Sequence, residues 1–260
     1  MKQRIISSLI LLPLVGLAIW FAYPWFQILL GVVIVLLSWE WDKMLTNKLT
    51  PFALISAVVA TAAMLMVESG QTAILFAGIV AAVSLLAYAK SKKSMDPHPL
   101  LRTFGIFYIT AFAVSAVFIL NTFGTLFVFW LILVVFATDV GGMIVGLPLR
   151  GPALCPSISP KKTWSGFFGG LAFAILIAVL FGTLFNLGAI PDLILFGSVI
   201  SVFAVFGDLL ESKIKRVVGV KDSGNIIPGH GGMFDRVDSL MLVIIVVTIF
   251  SVIACGACPQ

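Results

Sequence analysis

The sequence predicts an all-α polytopic membrane protein, and three features of the chain carry that prediction. Hydrophobic residues make up 61% of the 260 residues and charged residues only 10%. The mean hydropathy is +1.18, and together these values exclude an ordinary soluble domain. Apolar runs long enough to cross a bilayer recur along the chain, and the basic residues fall between alternate pairs of these runs.

We predict about nine transmembrane helices, because the apolar runs have roughly the 17 to 25 residues that a bilayer requires. The first run follows Met1-Lys2-Gln3-Arg4 and has no convincing small-residue cleavage site after it. We therefore interpret it as a retained helix and not as a signal peptide. The predicted spans cover residues 5–22, 25–42, 51–67, 72–89, 103–120, 123–141, 165–185, 190–210 and 238–256.

The distribution of Lys and Arg predicts the orientation of these spans. A cytoplasmic N-terminus would place on the cytoplasmic side residues 1–4, 43–50, 90–102, 142–164 and 211–237. These five segments contain all 16 Lys and Arg residues, and the outer loops contain none. The positive-inside rule thus predicts a cytoplasmic N-terminus, an outer C-terminus and an inner (cytoplasmic) membrane location. The net charge of +5 then reflects topology and anionic lipids, with no nucleic-acid partner implied.

Charged residues and glycines are concentrated near the C-terminus. Residues 212–238 read SKIKRVVGVKDSGNIIPGHGGMFDRVD, between two long apolar runs. Cations bind phosphates, carboxylates hold metals and glycines allow close backbone approach, and phosphoryl-transfer sites need all three. We therefore assign residues 1–102 to N-terminal transmembrane helices and residues 103–260 to a catalytic region with a cytoplasm-facing site.

Two further polar elements lie on the predicted cytoplasmic side. Asp139 ends the sixth span, and a carboxylate at membrane depth indicates either a functional group or pairing with a nearby cation. Residues 157–166 read SISPKKTWSG and precede the seventh span. A helix start offers free N–H groups and a positive dipole end, which favour phosphate. The two lysines there are either phosphate ligands or a positive-inside signal.

Two pairs of acidic residues flank the C-terminal polar segment. Asp208 and Glu211 are spaced i, i+3 in the eighth span and project from one helix face. Asp235 and Asp238 have the same spacing at the start of the ninth span. Carboxylates at this helix start either cap exposed N–H groups or hold a hard cation such as Mg²⁺. His230 lies between the pairs. It is a candidate general base, a candidate donor to phosphate or a structural hydrogen-bonding group.

Two features are interpreted as structural. Glu40 is an acidic residue close to membrane depth, beside two tryptophans at the end of the second span, and an interfacial carboxylate near Lys43 is favoured over a functional group. Cys255 and Cys258 form a CxxC pattern without the βα context of a redox motif. An extracytoplasmic disulfide is the alternative for these cysteines.

Residues 212–238 resemble the signature of phosphatidate cytidylyltransferases, also called CDP-diacylglycerol synthases. The signature is filled here by Ser212, Lys215-Arg216, Lys221-Asp222, His230-Gly231-Gly232, Asp235-Arg236 and Asp238. The resemblance extends to Asp139, to residues 159–163 with Gly166 and loosely to residues 39–41. One departure is Gly142-Met143, where the family commonly has Ala-Tyr.

The resemblance implies Mg²⁺-dependent transfer of CMP from CTP to phosphatidate, forming CDP-diacylglycerol and pyrophosphate for phospholipid synthesis. The catalytic residues it implies are Asp208, Asp235, Lys215, Arg216 and His230. Asp208 and Asp235 are the implied metal ligands, with Asp238 or Asp139 assisting. The implied substrate-binding residues are Ser159, Lys161, Lys162, Thr163, Lys221, Gly231, Gly232 and Arg236. Membrane lipids are implied as partners, and a second cation and a homodimer are left open.

Two other functions are consistent with parts of the sequence. A different CTP-using lipid kinase or transferase would share the chemistry and differ in its acceptor. A secondary transporter would fit nine spans with intramembrane acids, but it predicts polar residues at mid-membrane depth and often two related halves. The polar groups of this chain instead gather on one predicted side, which disfavours the transporter.

Overall fold

The computed structural model describes residues 13–46, 48, 50–67, 84, 97–224, 226 and 231–256, and these are mostly helical. Residues 13–21 are helical. The other elements are α1 (Trp25–Thr46), α2 (Pro51–Leu65), α3 (Pro99–Leu149), β1 (Ala153–Cys155), β2 (Ser159–Thr163), α4 (Trp164–Leu184), α5 (Ile190–Val218) and α6 (Phe234–Gly256).

Within the described ranges, four helices are long and apolar enough to cross a membrane: α3, α4, α5 and residues 234–253 of α6. Helix α2 is apolar but shorter. Large side chains such as Leu176, Leu180 and Leu184 are exposed along α4, as expected where lipid surrounds a helix. The protein is therefore a multi-pass membrane protein. Residues 72–83 and 85–89 of the predicted fourth span lie outside the described residues.

Helix α3 is interrupted at Gly124, whose backbone has φ 79° and ψ 178°. Glycine adopts such a positive φ without the steric cost that a side chain would impose. About 25 residues lie on each side, which is roughly 37 Å of helix and more than the ~30 Å hydrocarbon core of a bilayer. The sequence predicted two spans with a break around residue 121, and the structure places the break at Gly124.

The all-α prediction missed one antiparallel hairpin. Strands β1 and β2 pair Ala153 with Thr163 and Cys155 with Ser159, with an irregularity between them. Pro160 lies in β2, where its missing N–H is tolerated because a two-stranded sheet has only edge strands. Thr163 then ends the strand and begins α4, since its Oγ1 accepts a hydrogen bond from the Gly166 N–H at 3.2 Å.

The described residues belong to two compact units that interleave along the chain. The first unit contains residues from 1–121 and 214–236, and the second contains residues from 122–213 and 237–260. Helices α5 and α6 therefore each contribute residues to both units. Each unit contains its own group of buried or half-buried polar residues.

A buried ion pair joins three segments of the first unit. Asp42, at 0% exposure, accepts hydrogen bonds from the Arg102 guanidinium at 2.9 Å, from the Thr50 N–H at 2.6 Å and from the Thr50 hydroxyl at 3.0 Å. The Arg102 guanidinium also lies 4.9 Å from the centre of the Phe52 ring. These contacts join the end of α1 to the starts of α2 and α3. A carboxylate can be buried here because cationic and neutral donors surround it.

Glycines let α3 and α4 approach closely in the second unit. Gly142 and Gly146 of α3 face Gly166 of α4, and a Cβ on Gly166 would lie 2.9 Å from the Gly142 carbonyl oxygen. A Cβ on Gly170 would lie 2.7 Å from the Thr138 carbonyl oxygen. Small residues at such crossings let helix backbones pack together in a membrane. The glycines that follow Asp139 in the sequence thus serve helix packing.

A second close approach joins α5 to α6. A Cβ on Gly207 would lie 2.7 Å from the carbonyl oxygen of Asp238 and 2.9 Å from the Cα of Ser239. Both contacts are with backbone atoms, which cannot rotate away. The crossing brings the residue after Gly207, which is Asp208, close to Asp238.

We expect Gly207→Ala to lower the thermal stability of the protein in detergent, because the two backbones must separate to admit a methyl group. Overpacking of this kind costs about 1–3 kcal/mol. Thermal unfolding followed by circular dichroism measures the effect. Gly31→Ala is the matched control, since Gly31 lies in α1 with open space around its Cβ position. An equal melting temperature for both variants would contradict the close crossing.

Candidate functional site

Three carboxylates converge in the second unit. Asp208, Glu211 and Asp238 each offer an oxygen, and these oxygens lie within 4.8 Å of one another. Asp208 and Glu211 are one turn apart on α5, and Asp238 reaches them from α6 because Gly207 allows the helices to cross closely. Hard divalent cations such as Mg²⁺ bind through carboxylate oxygens. The donor set of this cluster therefore fits such a cation.

One lysine projects into this acidic cluster. The Lys162 ammonium lies 2.6 Å from the Asp208 carboxylate, and both side chains are partly exposed. Asp139, on α3, interacts electrostatically with Lys162 and Asp208, and Asp238 interacts with all three. Three aspartates therefore interact with the same lysine, and a bound divalent cation would offset part of their negative charge.

The hairpin explains which of the two neighbouring lysines enters the cluster. Successive side chains of a strand point to opposite faces, so Lys161 is exposed while Lys162 is half-buried against Asp208. The Thr163 hydroxyl lies 3.0 Å from that of Ser165, which donates to the Arg150 carbonyl oxygen at 3.3 Å. These bonds fix the strand end that carries Lys162.

Asp235 is the centre of a polar network in the first unit. Its carboxylate lies 3.0 Å from the Lys215 ammonium. It also accepts hydrogen bonds from the Ser223 N–H, at 3.3 Å to each oxygen, and from the Gly232 N–H at 3.0 Å. The network joins α5 to the turn that precedes α6. Lys215, Gly232 and Asp235 were all predicted site residues, and the structure brings them together.

Glu40 contributes a second carboxylate to this part of the first unit. Its side chain is 1% exposed. It accepts hydrogen bonds from the Met233 N–H at 2.8 Å, the Phe234 N–H at 2.8 Å and the Ser223 hydroxyl at 3.3 Å. A carboxylate of α1 therefore caps the start of α6.

The interpretation of Glu40 as an interfacial carboxylate near Lys43 was wrong. The Lys43 ammonium lies over the Trp39 ring, 4.8 Å from its centre, and is exposed. Glu40 can be buried because two backbone N–H groups, more than 190 residues away in the sequence, donate the hydrogen bonds that water would otherwise supply. The signal that could have identified it was an acidic residue within an apolar run, which is rare without a functional or structural need.

Glycines surround the Glu40 carboxylate. A Cβ on Gly224 would lie 2.8 Å from one Glu40 oxygen, and a Cβ on Gly232 would lie 2.8 Å from the other. Gly231 has a φ of +86°, which glycine adopts readily. The predicted contact of Gly231 and Gly232 with pyrophosphate stays a prediction. The Gly232 N–H donates to Asp235 in this structure.

The remaining predicted site residues are distributed over both units. Ser159 and Thr163 are half-buried in β2. Exposed positions are occupied by Lys161, Arg216, Lys221 and Arg236. His230 lies outside the described residues, as do Cys258 and the side chain of Cys255. Glu211 joins the acidic cluster although it was not among the predicted ligands. Its i, i+3 spacing from Asp208 was the available signal.

Comparison with known proteins identifies the family of the chain. The model of the family described as "Cytidylyltransferase family" matches residues 2–254. The phosphatidate cytidylyltransferase of Brucella suis is 30% identical over 261 residues, covering 97% of this chain and 94% of the relative.

Two further relatives have the same name. The phosphatidate cytidylyltransferase of Haemophilus influenzae is 31% identical over 92% of this chain and 94% of its own length. That of Bacillus subtilis is 44% identical over 126 residues, which cover 48% of this chain and 46% of the relative. Since the family model and two of these alignments extend over nearly the whole chain, the chain belongs to the cytidylyltransferase family.

Proposed function

We propose that this chain transfers CMP from CTP to phosphatidate, forming CDP-diacylglycerol and releasing pyrophosphate for phospholipid synthesis. Relatives that align over nearly its whole length are named phosphatidate cytidylyltransferases. The structural observation that supports this function best is the cluster of Asp208, Glu211 and Asp238 with Lys162, within an apolar chain. Carboxylates for a metal and a cation for phosphate meet there.

The reaction needs positioning and charge neutralisation more than a strong base. An oxygen of the phosphatidate phosphomonoester, already anionic near neutral pH, forms a bond to the α-phosphorus of CTP. The bond from that phosphorus to the bridging oxygen breaks, and pyrophosphate leaves with the electron pair. Two polyanions must therefore approach each other, and preorganised cations lower the cost of that approach.

Asp208, Glu211 and Asp238 would hold Mg²⁺, with Asp139 adjacent. When bound, Mg²⁺ supplies positive charge to phosphate oxygens. Asp235, implied as a ligand by the resemblance, stays a proposed ligand. Its carboxylate is oriented by Ser223, Gly232 and Lys215 in this structure.

Lys162 would exchange its present partner for a substrate phosphate. It is paired with Asp208, and a metal bound by that aspartate would weaken the pairing and free the ammonium. We propose further phosphate contacts for Ser159, Lys161, Thr163, Lys215, Arg216, Lys221, His230, Gly231, Gly232 and Arg236. Exposed cations among them suit a polyanion that arrives from solution.

The topology is part of this proposal. About nine spans with a cytoplasmic N-terminus and an outer C-terminus would put every Lys and Arg on the cytoplasmic face of the inner membrane, where CTP is found. Residues 1–102 would supply transmembrane helices and residues 103–260 the catalytic groups. Phosphatidate would enter from the surrounding lipid, and a homodimer is the proposed assembly.

Purified protein with Mg²⁺, labelled CTP and phosphatidate is expected to form lipid-linked CMP and to release pyrophosphate. Thin-layer chromatography of the lipid fraction measures the product. Polyprenol and diacylglycerol are tested as alternative acceptors, because a CTP-using lipid kinase would phosphorylate the hydroxyl group of such a lipid. Failure to form CDP-diacylglycerol with any divalent cation would refute the proposed function.

Asp208→Asn and Asp235→Asn are expected to abolish turnover or to lower it by at least about 10²-fold, because each removes a negative charge proposed to bind a metal ion. Turnover per folded protein is measured after size-exclusion chromatography in detergent. Asp192→Asn is the matched control, since Asp192 is exposed in the first turn of the same helix as Asp208. Near-normal turnover of either variant would show that the aspartate it replaces is not a metal ligand.

Cysteine labelling in intact cells tests the topology. Asp192→Cys and Ser157→Cys are placed separately in a variant whose three native cysteines are serine. A membrane-impermeant maleimide is expected to label the first directly and the second only after permeabilisation, because residues 157 and 192 lie on opposite sides in the nine-span topology. Both positions are exposed to a reagent. The reverse pattern would invert the proposed orientation.

A further inference from the structure

We propose that Glu40 is a positioning residue that orients Asp235 for CMP transfer. This inference rests on the proposed function and extends it to the N-terminal helices. Glu40 is buried on α1, far in the sequence from the polar segment. Its contacts lie in the turn that carries Asp235, all within the first unit.

Two carboxylates accept the N–H groups of three successive residues that lead into α6. The N–H of Phe234, the first residue of α6, has no partner within the helix and needs an acceptor from elsewhere. Here the Gly232 N–H donates to Asp235, whereas the Met233 and Phe234 N–H groups donate to the two oxygens of Glu40. The two carboxylates together accept hydrogen bonds from three successive residues. A shift of one carboxylate therefore changes the geometry at the other.

Ser223 links the same two carboxylates directly. Its N–H donates to Asp235 and its hydroxyl donates to Glu40. Glu40 thus holds the side chain of Ser223, whose backbone holds Asp235. Lys215 then meets Asp235 from α5 at 3.0 Å. The four residues form one connected network in which Glu40 is the most deeply buried member.

The surrounding glycines indicate that the position of Glu40 is tightly specified. Any side chain at Gly224 or Gly232 would collide with its oxygens. The Trp41 ring packs edge-on against Phe234, with centres 5.2 Å apart, and fixes the adjacent part of α1. A carboxylate this constrained can transmit small displacements to Asp235. A displacement of about 1 Å in a group that positions the reactants can lower the rate roughly 10²-fold.

The decisive variant is Glu40→Gln, with Asp42→Asn as its matched control. An amide keeps the size of the side chain but replaces one acceptor oxygen with an NH₂ group that faces an N–H donor. Asp42 is equally buried two residues further along α1, but its partners are Arg102 and Thr50 and not the Asp235 network. A purely structural role would make the two variants behave alike.

We expect Glu40→Gln to lower kcat by about 10- to 100-fold. Its melting temperature is expected to fall no further than that of Asp42→Asn, which keeps near-normal kcat per folded protein. Hydrogen exchange followed by mass spectrometry is expected to be faster in a peptide covering residues 231–236 of Glu40→Gln, but unchanged there in Asp42→Asn. A kcat within about twofold of wild type, or an equal loss in both variants, would overturn the proposal.

Ser223→Ala provides a second test that stands if Glu40→Gln does not fold. It removes the hydroxyl that donates to Glu40 and keeps the N–H that donates to Asp235. We expect faster exchange in residues 231–236 and a kcat lowered by about threefold or more, within the range expected for the loss of one hydrogen bond. Unchanged exchange and kcat would overturn the proposal. Wild-type protein without CMP transfer would refute the proposed function instead, while the exchange measurements would still report on the Glu40 network.

Discussion

The burial of carboxylates among apolar helices is the constraint on which the polar parts of this structure depend. A carboxylate removed from water must find hydrogen-bond donors or cations, or it destabilises the fold. Asp42 accepts hydrogen bonds from Arg102 and Thr50, and Glu40 accepts them from N–H groups at the start of α6. Asp235 pairs with Lys215 and accepts hydrogen bonds from two N–H groups. Each acidic residue thereby fixes two or more segments that are distant in the sequence.

The carboxylates of the acidic cluster in the second unit are arranged differently. Lys162 pairs with Asp208, but Asp139 and Asp238 share the same lysine. Gly207 allows the α5–α6 crossing that concentrates these groups. Carboxylate oxygens that converge on one another suit a divalent cation, whereas the carboxylates of the Glu40 network accept hydrogen bonds from N–H groups and lie against Lys215. This difference separates a proposed metal site from a positioning network.

Much of the candidate site could be predicted because its residues are adjacent in sequence or share a helix face. Local patterns predicted that Asp208 and Glu211 share one helix face and that a helix starts after Thr163. The structure agrees with both predictions. The hairpin at β1 and β2 was missed, because five residues with a proline read as a loop when their pairing partner is not considered. The partners of Glu40 were missed because they lie more than 180 residues away.

The sequence by itself determined that this is a multi-pass helical membrane protein of the cytidylyltransferase family. Hydropathy depends on composition alone, and the signature at residues 212–238 is contiguous. Only the tertiary structure decided which carboxylates meet a lysine, which cap a helix and which converge on one another. The convergence of Asp208 and Asp238, for example, depends on the helix crossing at Gly207, where the backbones approach closely. Contacts across such crossings join residues that no local pattern relates.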